Sequence, residues 1–267
     1  MSEAPARCGV IGFPLAHTRS PELHRAFAEQ CGLAQGYSVL AVPDSDFEPA
    51  VRTFFANGGC GLNVTLPYKQ RALELADSAS ERAVRAGAAN VLARQALGTV
   101  LADNVDGVGF LRDLKRLQFD PRDSKVCMLG AGGAAAGVTG ALLEAGVGAV
   151  GVLNRSVGRA QSLISRMDDR RVTELSGEGG TFDLVINATS ASLANECPEF
   201  PDELVGRATL AYDLVYAREP TPFMQRAAGL GARVSDGWGM LVEQAAESFF
   251  VWHGVRPDTD PLRLETR

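Results

Sequence analysis

The sequence predicts an α/β protein of two domains, the second a Rossmann-like, doubly wound dinucleotide-binding domain. Three observations carry that expectation. Apolar runs of strand length alternate with segments of helical spacing along most of the chain. Gly130-Ala131-Gly132-Gly133-Ala134-Ala135 forms a G-x-G-x-x-A turn. It stands between the apolar run at 126–129 and an alanine-rich stretch with Val138, Leu142 and Leu143 at helical spacing. The chain has 267 residues, 46% of them apolar, enough for one large domain or two small ones with their own cores.

In chain order, residues 8–11 read as a first strand, followed by a turn at Gly12-Phe13-Pro14-Leu15. Ser20-Pro21-Glu22 opens a helix, with serine at the cap and proline at the first position. Leu23, Phe27 and Cys31 recur along it at intervals of four. Residues 37–42 form a second strand, 46–56 a second helix, and 61–64 a third strand running on to Lys69. Helical segments follow near 69–76 and 79–86, then strands at 90–93 and 100–102 as a hairpin around Gly98. The helix of residues 106–117, with Gly107, Phe110, Leu111 and Leu114 placed to pack, links the two domains.

Beyond it, the glycine turn and the apolar run at 149–153 complete a β-turn-α-β unit. Residues 182–187 give a strand running into Ala188-Thr189-Ser190, 210–215 another, and 233–235 a short last one. Residues 239–254 form an amphipathic helix with Leu241, Ala245, Phe249 and Trp252 on one stripe. From Asp258 the sequence is polar and is expected to fray. The expected domains are 1–105, completed by the C-terminal helix at 238–267, and 106–237.

The glycine turn has a chemical reading. Gly130 permits the tight turn, Gly132 lets the backbone approach a pyrophosphate, and Ala135 keeps the helix against the strand. The helix start offers free N–H groups to phosphates. The end of the second strand then selects the nucleotide: an acidic residue there binds the ribose of NAD, an arginine the 2′-phosphate of NADP. This chain has Asn154-Arg155-Ser156, with Arg159 one helical turn further on and no carboxylate. Arg155 and Arg159 clamp a dianion, with Asn154 and Ser156 as hydrogen-bond partners, and NADP is the expected cofactor. The plainer alternative has Ser156 capping a helix beside solvated arginines.

Composition excludes other classes. The net charge of −6 predicts no nucleic-acid partner. Glu144 and the glycines between 130 and 153 argue against a membrane span there. Cys8, Cys31, Cys60, Cys127 and Cys197 show no C-x-x-C spacing and read as free thiols of a reducing compartment. His17, His24 and His253 form no metal constellation with them, so no metal is expected. The first residues lack a signal-peptide pattern, and the expected location is the cytoplasm. Only three lysines occur, Lys69, Lys115 and Lys125, so each invites a separate question.

Several stretches together have a specific order and spacing. They are residues 12–21 (GFPLAHTRSP), 63–69 (NVTLPYK), 87–90 (GAAN), 103–107 (DNVDG), the glycine turn, 154–156 (NRS), 187–190 (NATS) and 239–245 (GMLVEQA). Through them nearly the whole chain resembles the shikimate dehydrogenases, NADP-dependent enzymes that reduce 3-dehydroshikimate. The resemblance implies a substrate-binding first domain, an NADP-binding second domain and an active site in the cleft between them. Ketone reduction by hydride makes an alkoxide that must be protonated. Lys69 matches the family's catalytic lysine, whose ammonium stabilises that charge. Asp106 matches the paired aspartate, which orients the amine and shares the proton traffic. Taken alone, Lys69 is a solvated lysine at a helix start and Asp106 an N-cap before Gly107.

The resemblance also implies the binding residues. Thr18 and Ser20 match the hydroxyl pair that holds the substrate carboxylate, and Tyr216 a further carboxylate contact. Asn63, Thr65, Asn90 and Gln244 match polar positions around the ring. On the cofactor side it implies Gly130, Ala131, Gly132, Gly133, Ala134, Asn154, Arg155, Ser156, Arg159, Thr189, Gly237 and Met240. The implied partner is shikimate or 3-dehydroshikimate, bound by a monomer or homodimer without nucleic acid or membrane. Two departures stand out. Thr18 lies where the family usually has serine. Asn187-Ala188-Thr189-Ser190 is followed by Ala191-Ser192-Leu193, without the glycine common in that loop, which borders the nicotinamide. They keep two alternatives open: a quinate/shikimate dehydrogenase-like paralogue with shifted substrate or cofactor preference, and a non-catalytic NADP-binding sensor. Joint retention of Lys69, Asp106, Asn90 and Gln244 argues against the sensor.

Overall fold

Two six-stranded sheets carry the fold. The computed structural model describes residues 5–15, 18–175 and 180–263. One unit comprises the chain up to Asp106 and again from Val242, the other Gly107–Leu241.

The first unit begins with β1 (Ala6–Gly12), α1 (Ser20–Cys31), β2 (Gln35–Ala41), α2 (Phe47–Ala56) and β3 (Gly59–Val64). It continues with α3 (Lys69–Leu75), β4 (Ser78–Ala79), α4 (Glu81–Ala86), β5 (Val91–Arg94) and β6 (Val100–Asp103). At its limit starts α5 (Asp106–Arg116), with an acidic first turn and basic last turn that suit the helix dipole. The sheet order is β2-β1-β3-β5-β6-β4. β1 lies parallel to both neighbours, while β5 runs antiparallel to β3 and β6. Gly98 turns the β5–β6 hairpin at φ +83°, a conformation glycine adopts without Cβ strain.

Helical spacing explains the first core. Phe47, Val51, Phe54 and Phe55 fall on one face of α2 and pack on Ile11, Leu62, Val64, Leu92 and Tyr68. Removing one such phenylalanine costs roughly 3–5 kcal/mol.

In the second unit the elements are β7 (Lys125–Leu129), α6 (Gly133–Glu144), β8 (Ala149–Leu153), α7 (Val157–Met167) and β9 (Val172–Glu174). Then come β10 (Leu184–Asn187), β11 (Leu210–Asp213), α8 (Pro222–Gly229), β12 (Arg233–Ser235) and α9 (Trp238–His253). All six strands are parallel, in the order β12-β11-β10-β7-β8-β9. This is the doubly wound Rossmann arrangement, with its switch point between β7 and β10. Its central strands are largely apolar because both faces are buried: Val126, Cys127, Met128, Val185 and Ile186 are fully enclosed.

From Val242 onward α9 belongs to the first unit, and the short α10 (Asp260–Arg263) follows it. There His24 and Phe27 of α1 meet Phe249 and Trp252 of α9, with His24 stacked on Tyr37 at 4.5 Å. Trp252 Nε1 donates to the Leu92 carbonyl at 3.1 Å. Any Cβ at Gly61 would strike the Trp252 ring, so glycine there makes room for the indole.

Some expectations need correction. Ser20 is not a cap: it is the first residue of α1, Arg19 stands at the cap position, and the Thr18 hydroxyl accepts the Ser20 N–H. Ser156 does stand at the N-cap position of α7, but its side chain makes no cap hydrogen bond. Residues 258–263 do not fray. The Asp258 N–H donates to Gln30 Oε1 at 2.7 Å, and buried Glu243 accepts from the Thr259 hydroxyl and from Arg263 and Arg256. The polar residues there are partners of an inward-facing carboxylate. Residues 264–267 of the expected tail, with Ala16 and His17, lie outside the described residues. No described helix is long and apolar enough to cross a membrane.

Candidate active site

The corner between β3 and α3 fixes Lys69. Tyr68 immediately before it is buried, stacks on Phe47 at 4.5 Å and donates its hydroxyl to the Val42 carbonyl at 2.6 Å. The Lys69 carbonyl accepts the Ala89 N–H at 2.7 Å, which ties the corner to the segment leading to Asn90. With both neighbours anchored, Lys69 Nζ reaches Asp106 Oδ2 at 2.6 Å across a sequence separation of 37.

Asp106 is held from behind. Its N–H donates to Asn104 Oδ1, and Asn104 Nδ2 donates to the Ala88 carbonyl. Its side chain is 3% exposed and that of Lys69 15%. Desolvation of this order makes loss of one partner cost roughly 3–5 kcal/mol. Asn90 joins the pair. Its Oδ1 accepts the Val105 N–H, and its Nδ2 donates to Asp106 Oδ1 at 2.7 Å and to Gln244 Oε1 at 3.0 Å. Lys69, Asp106, Asn90 and Gln244 thus form one connected network. Such a network can polarise a carbonyl with the ammonium, hold a hydroxyl on the carboxylate and pass a proton between them.

The other expected substrate residues of this unit are also placed. Thr18 Oγ1 and Ser20 Oγ lie 3.3 Å apart, a hydroxyl pair at the start of α1. The Thr65 N–H donates to the Ile11 carbonyl, and Thr65 closes on Gly12, where a Cβ would strike its methyl group. Asn63 is oriented from both sides: Tyr37 Oη donates to its Oδ1 at 2.8 Å, and its Nδ2 donates to Ser248 Oγ at 2.8 Å. Ser248 in turn donates to the Gln244 carbonyl. Burial holds the Tyr37 hydroxyl well above its usual pKa, so it stays a donor.

In the second unit, Gly130 follows β7 with φ +105°, and a Cβ there would come 3.1 Å from the Ala188 carbonyl carbon. The positive φ favours glycine, and the contact would be tight for any side chain. Gly132 caps α6, and no heavy atom lies within 4 Å of a Cβ built on it, so its backbone is open to a ligand. Ala131, Gly133 and Ala134 complete that turn, with no acidic residue in the first turn of α6. At the end of β8, Arg155 and Arg159 are exposed and neither pairs with a described carboxylate, while Asn154 Nδ2 donates to the Ser156 carbonyl. An open backbone cradle and two exposed guanidiniums suit a phosphorylated dinucleotide. Thr189 follows β10 and donates its hydroxyl to Asn187 Oδ1. Gly237 and buried Met240 lie at the start of α9, and Tyr216 packs edge-on against Trp238. Tyr216 therefore belongs to the second unit, whereas the other expected substrate residues belong to the first. No group of three or more metal-ligating side chains occurs among the described residues.

Three family models match the chain in succession. They describe the shikimate dehydrogenase substrate binding domain (residues 10–92), shikimate / quinate 5-dehydrogenase (113–195) and the shikimate 5′-dehydrogenase C-terminal domain (237–263). A shikimate dehydrogenase (NADP(+)) of Chromohalobacter salexigens is 49% identical over 261 residues, spanning 97% of this chain and 96% of that protein. The chain belongs to the shikimate dehydrogenase family. Among solved structures, an Ael1 enzyme from Pseudomonas putida is 42% identical with a TM-score of 0.91, covering 98% of this chain and all of that one. The shikimate 5-dehydrogenase of Thermus thermophilus, solved in complex with NADP(H) and shikimate, is 34% identical with a TM-score of 0.86 over 97% of each chain.

Motifs alone miss part of the hydrogen-bond network around the candidate site. Tyr37 and Ser248 orient Asn63, and Asn104 supports Asp106. Tyr37 sits in a strand and Ser248 in a helix, where each reads as ordinary structure. Asn104 carried a signal, since an asparagine side chain commonly bonds the backbone two residues further on in an Asx turn.

Proposed function

We propose that the chain is an NADP-dependent shikimate dehydrogenase, interconverting 3-dehydroshikimate and shikimate in the biosynthesis of aromatic amino acids. The observation that carries this reading is the network of Lys69, Asp106, Asn90 and Gln244 in a member of that family. In this reading residues 1–105 with 238–267 bind the substrate and residues 106–237 bind NADP. When bound, the reduced cofactor, NADPH, would supply the hydride that reduces the ketone carbon, and the oxidised form, NADP(+), would accept it in the reverse direction.

The chain's own residues do the rest. Thr18 and Ser20 hold the substrate carboxylate, and Asn63, Thr65 and Gln244 hold ring hydroxyls. Lys69 Nζ donates a hydrogen bond to the carbonyl oxygen and gives it a proton as negative charge develops. Asp106 keeps Lys69 aimed, accepts a hydrogen bond from the substrate and takes part in returning the proton. Asn90 keeps Asp106 from turning. Arg155 and Arg159 hold the 2′-phosphate, and the backbone at Gly132 receives the pyrophosphate.

The test is a steady-state assay with shikimate and quinate, each with NADP and with NAD. Turnover confined to shikimate with NADP supports the proposal. Preference for quinate, or NAD use at equal efficiency, replaces it with the related quinate-active reading, and NADP binding without turnover replaces it with a sensor. A cytoplasmic setting and a monomeric or homodimeric state complete the proposal, the latter checked by sedimentation.

A further inference from the structure

We infer that Ser192 is a positioning residue for the nicotinamide half of the cofactor, acting through Asp213, Asn187 and Thr189. The inference rests on the reading that NADP binds this chain. Asn187 ends β10 and Asp213 ends β11, and the two are register partners. Both are fully buried. The Asp213 carboxylate receives three donors: Ser192 Oγ at 2.6 Å, Thr221 Oγ1 at 2.7 Å and the Val215 N–H at 3.0 Å. The Ser192 hydroxyl also accepts from Asn187 Nδ2 at 3.1 Å. A single hydroxyl therefore bridges a buried carboxylate and a buried amide.

The same Asn187 side chain sets Thr189. Its Oδ1 accepts the Thr189 N–H at 3.0 Å and the Thr189 hydroxyl at 2.7 Å. Held this way, the Thr189 methyl abuts the glycine turn: a Cβ on Gly130 would lie 3.2 Å from Thr189 Cγ2. The loop from Ala188 to Ser192 thus forms one wall of the switch point between β7 and β10, where Rossmann sheets receive dinucleotides. The Arg155 corner ends β8, on the other side of β7 from β10. A dinucleotide with its 2′-phosphate at that corner and its pyrophosphate at Gly132 extends its nicotinamide towards the Thr189 wall.

Ser192 stands in the stretch where a glycine is common in the family. A glycine has no side chain with which to make either bond. In this chain the loop is fixed by a hydroxyl bridge, and the position of Thr189 follows from it.

The experiment uses the full chain with Ser192→Ala, Ser192→Gly and Ser192→Thr. Affinities for NADP and for adenosine 2′,5′-bisphosphate, which carries only the 2′-phosphate half, are measured by calorimetry. Amide exchange at Thr189 and Ala191 is measured without ligand. Ser192→Ala and Ser192→Gly should weaken NADP roughly tenfold, the scale of one lost bridge. They should leave the bisphosphate unchanged and speed exchange at both amides. Ser192→Thr, which keeps the hydroxyl, should restore all three readouts. Equal weakening of both ligands, unchanged NADP affinity or unchanged exchange overturns the positioning role. Wild-type chain that does not bind NADP overturns the cofactor reading itself, and the inference with it.

Discussion

Asn90 reaches Asp106 on the carboxylate oxygen that Lys69 leaves free: its Nδ2 lies 2.7 Å from Oδ1, while Lys69 Nζ lies 2.6 Å from Oδ2. The carboxylate is pinned at both oxygens and cannot rotate without losing a partner. In the proposed reaction this holds Lys69 in a single direction. Lys69→Ala and Lys69→Met should each lower kcat by roughly 10²–10⁴-fold, the range for a positioned acid–base group. Asp106→Asn should also cut kcat, and NADP binding should survive all three changes. Because the two residues act as a unit, the double variant should be little worse than the worse single one. Near-wild-type turnover of Lys69→Met would remove the lysine from the mechanism.

Cofactor choice is a matter of the β8 corner. Arg155→Ala should weaken NADP roughly tenfold to a hundredfold, the scale of one charge-assisted hydrogen bond, and leave NAD binding unchanged. Calorimetric titration with both nucleotides checks this. Equal effects on both would place Arg155 away from the 2′-phosphate.

Thr18→Val keeps the shape of the side chain and removes a hydroxyl that faces Ser20 at 3.3 Å. The KM for shikimate should rise while NADP affinity stays as it was. An unchanged KM would show that the carboxylate has other partners.

Stability should depend on pH through His24. Burial lowers its pKa from 6.5 to about 3, and neither ring nitrogen has a hydrogen-bond partner among the described residues. Its protonated form therefore favours the unfolded chain. Stability is fully present above the unfolded value and falls as pH drops from 6.5 towards 3, by up to roughly 1.4 kcal/mol per pH unit. Nearby His253 is shifted down by burial as well and adds in the same direction. Urea unfolding at pH 7 and pH 5 should show a smaller loss for His24→Phe than for wild type, by roughly 2 kcal/mol. Parallel losses would exclude His24 as a source.

The doubly wound unit was legible because its signals are local. Gly130, Gly132 and Ala135 stand within one turn, and residues 149–153 form β8 as expected. Lys69 and Asp106 were legible only through family resemblance, since no local rule links positions 37 apart. Glu243 and Arg263 meet across 20 residues, so residues 258–263 read as a polar tail when their partner was out of view. β9, at three residues, is too short for a periodic signal. α8 escaped notice despite a visible start: Thr221 caps it, with Pro222 in the first turn.

The first unit is discontinuous, whereas the described residues of the second lie in a single stretch, Gly107–Leu241. A ribosome therefore releases the two in one order and they reach completion in the other. When residue 241 emerges, the Rossmann sheet has all its strands, while Asn63 still lacks Ser248 and Asn90 still lacks Gln244. Translation that stops at that point leaves a finished second half and an unfinished first one. A lesion late in the reading frame thus damages the part of the protein that was synthesised earliest.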